Sequence, residues 1–114
     1  MSFWRDEVID FGLDQETRLH MEEQLAWIAR EPSNAKPYFH LAQLYRMNQK
    51  PDEALGLLLE AVRLDDSFAD AHAALAEMYA VRSDTRAAWL HARAAEAGGI
   101  GRAVELLVRY NVPE

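Results

Sequence analysis

Histidine and serine are the residues of this sequence with the most capacity for chemistry, and each occurs four times. No two histidines lie four residues apart, the spacing that places two metal-ligating imidazoles on one helix face. The serines stand at predicted helix starts or turns, where serine commonly caps a helix, and none lies in a nucleophile elbow. We therefore expect no enzymatic activity, no metal site and no cofactor.

The run Gly98-Gly99-Ile100-Gly101 is the one segment that resembles a phosphate-binding loop. It follows a predicted helix rather than a strand, and it lacks the Lys-Ser/Thr ending of such loops. Glycine frequently ends a helix by adopting a left-handed conformation just beyond its last turn. The run therefore predicts the end of one helix and a short turn into the next.

Composition and charge exclude several classes of partner. Nineteen acidic against 12 basic residues give a net charge of −7, which argues against binding nucleic acid or an anionic membrane surface. The chain has no cysteine and no apolar run near the roughly 18 residues of a membrane span. We expect a cytoplasmic protein without membrane insertion. The acidity is concentrated in residues 1–33, which is typical of a solvated helix face, although a patch for a basic partner is the alternative.

The elements that position these side chains are predicted to be helices. Alanine and leucine are abundant, whereas the β-branched residues that favour strands are few. An internal repeat appears when residues 35–68 are aligned with 69–102 at an offset of 34. The identities are Leu41 with Leu75, Ala42 with Ala76, Tyr45 with Tyr79, Ala54 with Ala88, and Ala61 with Ala95. The spacing predicts helix, tight turn and antiparallel helix, with the alanines where two helices approach closely.

The repeat resembles the tetratricopeptide repeat (TPR) family, whose 34-residue unit carries an aromatic, then Leu-small-x-x-Tyr, then spaced alanines. In residues 35–68 these places are held by Tyr38, Leu41, Ala42, Tyr45, Ala54, Leu58 and Ala61. In the next unit they are held by His72, Leu75, Ala76, Tyr79, Ala88, Ala92 and Ala95. The resemblance covers residues 35–97 and is loose over 1–34, where Trp4 and Phe11 precede Tyr38 and Tyr45 by 34 residues.

The resemblance implies an all-α fold of antiparallel helix–turn–helix repeats. About three TPR-like units, the first degenerate, are expected to stack as a short right-handed α-solenoid with a C-terminal capping helix. We expect a single domain over 1–114, divided into a degenerate repeat or N-terminal cap (1–34), two repeats (35–68 and 69–98) and the capping helix (99–114). Seven helices are predicted, the first of them short. Trp89 is predicted to lie in the core, and the apolar residues Phe3, Trp4, Val8, Ile9 and Phe11 to pack onto the second helix.

A stack of repeats presents an extended concave face, which in this family is lined by the first helix of each unit. The residues that the resemblance places there are Lys36, Phe39, His40, Gln43, Arg46, Met47, Asp70, Ala73, Glu77 and Val81. The resemblance thus implies a non-enzymatic protein–protein interaction module, an adaptor or an accessory or assembly subunit of a larger complex. Its partner would be a helix or peptide of another protein.

Some TPR domains bind the acidic tails of chaperones through a clamp of Lys, Asn and Arg. Phe39, Gln43 and Ala74 stand in place of such residues here, so the sequence argues against a carboxylate clamp. Three alternatives stay open. In the first, the apolar residues of the last helix (Leu106, Leu107, Val108 and Tyr110) form the interface with the partner. In the second, copies of the chain self-associate. The third is a different class of protein. A small-ligand-binding or enzymatic protein would need a closed pocket with convergent polar groups.

Overall fold

A computed structural model describes residues 14–114 of the chain. This part forms six α-helices and no strand, which confirms the all-α fold class. The helices are α1 (Gln15–Arg30), α2 (Ala35–Met47), α3 (Pro51–Leu64), α4 (Ala69–Val81), α5 (Thr85–Ala97) and α6 (Arg102–Arg109). The predicted first helix and the apolar set that begins at Phe3 fall in residues 1–13, outside the described residues.

The helices begin where the sequence supplies capping groups. The carboxylate of Asp14 accepts a hydrogen bond from the Thr17 amide at 2.6 Å, and the Asn34 side chain accepts one from the Lys36 amide at 3.0 Å. Pro51 occupies the first turn of α3, where its missing amide hydrogen costs nothing. Each cap satisfies an amide that has no partner within the helix.

The two turns inside the repeat units have the same backbone conformation. Gln49 and Ser83, which lie 34 residues apart, adopt φ values of 64° and 63°. In each turn the following amide donates to the carbonyl of the repeated tyrosine: Lys50 to Tyr45 and Asp84 to Tyr79, both at 2.9 Å. The repeat therefore extends from residue identity to backbone geometry.

The repeated alanines lie where two helices approach closely, as the spacing predicted. Ala54 and Ala61 on α3 are fully buried, and so are Ala88 and Ala95, their equivalents on α5. The helices pack most closely as the pairs α2–α3 and α4–α5, while α1 lies on α2, α3 on α4, and α6 on both α4 and α5. Consecutive helix pairs thus stack as in a TPR-like solenoid.

Helix α4 contributes to two core clusters and is covered on opposite sides. The first cluster is formed by Ala35, Ala42, Ala54, Leu58, Ala61, Ala71, Ala74, Leu75 and Met78. The second is formed by Ala73, Ala76, Ala88, Trp89, Ala92, Ala95, Ala103 and Leu107. A helix packed on both sides needs small residues all around it, which explains its alanine content.

This packing corrects the position expected for Ala73. The sequence places it on the open concave face, but the structure buries it completely in the second cluster. The resemblance implies that α4 has an open concave face, but α6 covers part of that face.

The C-terminal end is closed by α6 and the residues after it. Gly99 adopts φ 94°, the left-handed conformation expected at the end of α5. Trp89 is buried, as predicted, and its indole Nε1 donates to the Val112 carbonyl at 3.1 Å. The Arg93 guanidinium lies 5.0 Å from the Trp89 ring centroid and donates to the Glu114 carboxylate at 2.7 and 2.8 Å. Val112 and Glu114, near the C-terminal end of the sequence, are therefore held against α5 by hydrogen bonds.

Candidate functional site

A large cleft lies between the C-terminal ends of α2, α4 and α6. We call it the central cleft, and its volume is about 890 Å³. Its apolar lining consists of Pro51, Met78, Ala80, Val81, Leu106, Leu107, Tyr110 and Val112. Its polar lining consists of Arg46, Gln49, Glu77 and Arg82. The first helices of the two repeat units and the capping helix thus contribute to one surface depression.

Charged side chains connect the three helices across the central cleft. The Glu77 carboxylate lies 3.6 Å from the Arg46 guanidinium on α2 and 3.7 Å from that of Arg102 on α6. Both distances exceed that of a hydrogen bond, so the guanidinium groups keep donors for a ligand. Arg82 is more tightly engaged, since it donates to the Asp52 carboxylate at 2.6 Å. The cleft therefore combines an apolar lining with charges of both signs.

Two largely exposed apolar side chains line the same cleft. Val81 and Tyr110, which line it, are 86% and 69% exposed, and Met47, the residue after Arg46, is 71% exposed. These are the three most exposed large apolar side chains among the described residues. Apolar surface gathered around a depression is typical of an interaction site.

A second, smaller depression lies between α1 and α2. This side cleft has a volume of about 370 Å³ and is lined by His20, Gln24, Trp27, His40, Gln43 and Leu44. The His40 ring stacks on Trp27 at a centroid distance of 6.3 Å. The Gln24 Oε1 atom is buried and has no hydrogen-bond partner among the described residues.

The residues predicted from sequence divide between these surfaces. Arg46, Glu77 and Val81 line the central cleft, whereas His40 and Gln43 line the side cleft. Exposed residues that line neither cleft are Lys36, Met47 and Asp70. Phe39 is half-buried and packs against Phe68 at a ring distance of 5.1 Å, so much of this expected anchor is used within the fold.

Leu106 and Tyr110 belong to the central cleft, although sequence analysis placed them in a separate alternative. Helix α6 begins 33 residues after α4, at Arg102 rather than Ala103. The shift brings Tyr110 to the place that Glu77 has on α4. Aligning the residues after 102 with α4 at an offset of 33 would have paired Tyr110 with Glu77 and so predicted Tyr110 on the same surface.

A buried pair of histidines was also missed. The Nδ1 atoms of His72 on α4 and His91 on α5 lie 2.9 Å apart, and the Nε2 atom of His72 lies 2.8 Å from the Asp66 carbonyl oxygen. Burial, and then the neighbouring His72 imidazole, lower the pKa of His91 to about 4. The two histidines are 19 residues apart, and no motif links residues at that spacing.

Residues 14–114 contain no group of three or more histidine or carboxylate side chains arranged to hold a metal ion. None of the helices described for this chain has the length and apolar character needed to cross a membrane.

A family model for the tetratricopeptide repeat matches residues 24–56. This segment is assigned to the tetratricopeptide repeat family. The match includes the second half of α1, all of α2 and the beginning of α3. It therefore reaches into the segment before residue 35, where the resemblance was loose. A tetratricopeptide repeat suggests a protein–protein interaction module, and proteins of the family are generally non-enzymatic scaffolds. No match was found among curated proteins.

Proposed function

We propose that this chain is a non-enzymatic adaptor or accessory subunit whose central cleft binds a helix or extended peptide of a protein partner. The observation that carries the proposal is the position of its exposed apolar residues. Val81 and Tyr110 line the central cleft, and they are two of the three most exposed large apolar side chains of residues 14–114. Burying such side chains against a partner is favourable by about 25 cal/mol per Å² of apolar surface.

The lining of the cleft supports a peptide or helix as the partner. Leu106, Met78 and Ala80 offer apolar contacts along its floor, which suits the spaced apolar anchors of an amphipathic helix. Arg46 and Glu77 offer charges of opposite sign at the centre, held loosely enough to exchange partners. Charged groups of this kind select a partner more than they strengthen its binding.

Two further parts of the proposal rest on the sequence. Lys36 and Asp70 are exposed at the other ends of α2 and α4, and we include them as contacts for a partner longer than the central cleft. The chain has no cysteine and so no disulfide that would require an oxidising compartment, which is compatible with the cytoplasmic location that we propose.

Two exposed residues outside the cleft support a second candidate surface. Leu90 on α5 is 65% exposed and Val108 on α6 is 61% exposed, and neither lines the central cleft. They would serve the alternative in which the terminal helices bind a partner or a second copy of the chain. Sedimentation at several concentrations distinguishes partner binding from self-association, because the mass of the isolated chain rises with its concentration only if the chain self-associates.

Site-specific photo-crosslinking in the native cell tests the choice of surface. A photoreactive amino acid is placed at Val81, at Leu90 or at Val108, one position at a time, and adducts are identified by mass spectrometry. The proposal expects one defined protein to be trapped from Val81 and not from Leu90 or Val108. The same protein trapped from Leu90 or Val108 but not from Val81 would contradict it.

A further inference from the structure

Two buried imidazoles join α4 to α5 and to the loop before α4. His72 and His91 are 7% and 9% exposed, and their Nδ1 atoms lie 2.9 Å apart. His72 also contacts the Asp66 carbonyl through Nε2 at 2.8 Å, and the Tyr79 ring stacks on His91 with an interplanar angle of 6°. The contacts therefore connect α4 and α5 to each other and to the end of the preceding repeat unit.

The contacts fix where the protons lie when both rings are neutral. The Asp66 carbonyl only accepts hydrogen bonds, so Nε2 of His72 must carry a hydrogen and donate it. A neutral His72 then has no hydrogen on Nδ1, which can only accept. His91 must consequently donate from Nδ1–H, and its own Nε2 carries no hydrogen.

We propose that His72 and His91 form an acid-sensitive joint, which holds α4 against α5 while the pair is neutral and weakens when it gains protons. A first proton, taken up by the free Nε2 of His91, leaves its Nδ1–H donating to His72 but creates a buried cation. A second proton places two hydrogen-bearing nitrogens 2.9 Å apart and breaks the contact.

The surroundings offer little to stabilise the added charge. Tyr79 and Asp66 contribute a stacked ring and a backbone carbonyl, and the Asp66 side chain itself is exposed. On the helices packed around the pair, Glu60 contacts Arg63 on α3, Arg93 contacts Glu96 and Glu114, and Arg102 contacts Glu77 between α6 and α4. No carboxylate of residues 14–114 forms an ion pair with either imidazole. A buried cation without an acidic partner disfavours the folded state.

The pH range follows from His91. Burial lowers its pKa from 6.5 to about 4, so between these values the unfolded chain binds more protons than the folded one. Stability is then complete above pH 6.5 and is lost as the pH falls toward 4. For this shift the unfolding constant at pH 5 is about 30-fold larger than at pH 8. Because α4 also carries Glu77 and Val81, the central cleft depends on the same joint.

Urea unfolding at pH 8 and pH 5, followed by circular dichroism, tests the joint with His91→Asn. The asparagine amide can donate to Nδ1 of His72 but does not titrate in this range. The matched control is His20→Asn, because the His20 side chain is half exposed on α1. We expect the variant His91→Asn to lose most of the roughly 30-fold change that the unaltered chain shows, and His20→Asn to keep it. Equal pH dependence in all three proteins would overturn the proposal.

Imidazole ¹⁵N spectra of the unaltered chain provide a readout that does not require a variant to fold. We expect His91 to be neutral at pH 5.5 and to carry its hydrogen on Nδ1, with His72 carrying its hydrogen on Nε2 at pH 8. A His91 ring that is half protonated near pH 6.5, or that carries its hydrogen on Nε2 at pH 8, would contradict the joint.

Discussion

The carboxylate of Glu77 lies 3.6 Å from the guanidinium of Arg46 and links the first helices of two successive repeat units. Arg102 approaches the same carboxylate from α6 at 3.7 Å. Arg46 and Glu77 line the cleft that we propose as the partner site, and Arg102 lies beside Glu77. They also show that the cleft is built from the ends of helices that are far apart in sequence.

The Glu77 contacts are expected to matter more for a partner than for folding. All three side chains are partly exposed and the distances exceed hydrogen-bond length, so such pairs contribute at most about 1 kcal/mol. Glu77→Gln should therefore change the free energy of unfolding by less than about 1 kcal/mol in urea titrations. A larger loss would mean that the charge supports the stack itself.

Two glycines should respond to alanine in opposite directions. A Cβ at Gly98 would lie 2.7 Å from the Ala69 Cβ, whereas a Cβ at Gly56, inside α3, would meet nothing within 4 Å. Gly98→Ala is expected to cost about 1–3 kcal/mol through overpacking. Gly56→Ala is expected to stabilise the fold by about 0.5–1 kcal/mol because alanine favours a helix. Thermal unfolding of both variants measures this, and shifts of the same sign would contradict the packing of α4 on the turn after α5.

The two tryptophans of the described residues are expected to contribute differently to the stability of the fold. The Trp89 indole is buried and donates to the Val112 carbonyl, whereas the Trp27 indole donates to the exposed Glu31 carboxylate. Trp89→Phe should cost about 1–3 kcal/mol, since it removes packing and leaves a carbonyl without its donor. Trp27→Phe should cost under about 1 kcal/mol. Urea unfolding followed by circular dichroism compares them, and equal losses would argue against the C-terminal closure described here.

The core could be predicted from sequence because the repeat carries it. The five identities include Leu75 and the alanines at 54 and 88, and the structure buries all of these nearly completely. Helix starts at Asp14 and Pro51 were equally readable from local capping chemistry. These features depend on residues close in the chain or one repeat apart.

The exposed side chains and the lining of the central cleft were harder to predict, because they depend on which helix packs over which face of its neighbour. Ala73 has the right position on α4 for an open face, but α6 and α5 enclose it. Tyr110 lines the central cleft because the spacing between α4 and α6 is one residue shorter than the repeat. Phe39 is half-buried because its ring packs against Phe68. The His72–His91 contact joins two residues that no local pattern connects. Each of these outcomes is decided by packing between helices rather than by periodicity within one.

The most direct test of the central cleft is a binding titration with the partner trapped from Val81. The unaltered chain is compared with Val81→Asp and with Leu90→Asp, after circular dichroism has shown that all three fold alike. Both side chains are largely exposed, 86% and 65%, so neither change should disturb the core. We predict that Val81→Asp weakens binding at least tenfold, equivalent to about 1.4 kcal/mol, while Leu90→Asp leaves it unchanged. Unchanged affinity with Val81→Asp, together with a loss for Leu90→Asp, would contradict the central cleft as the partner site.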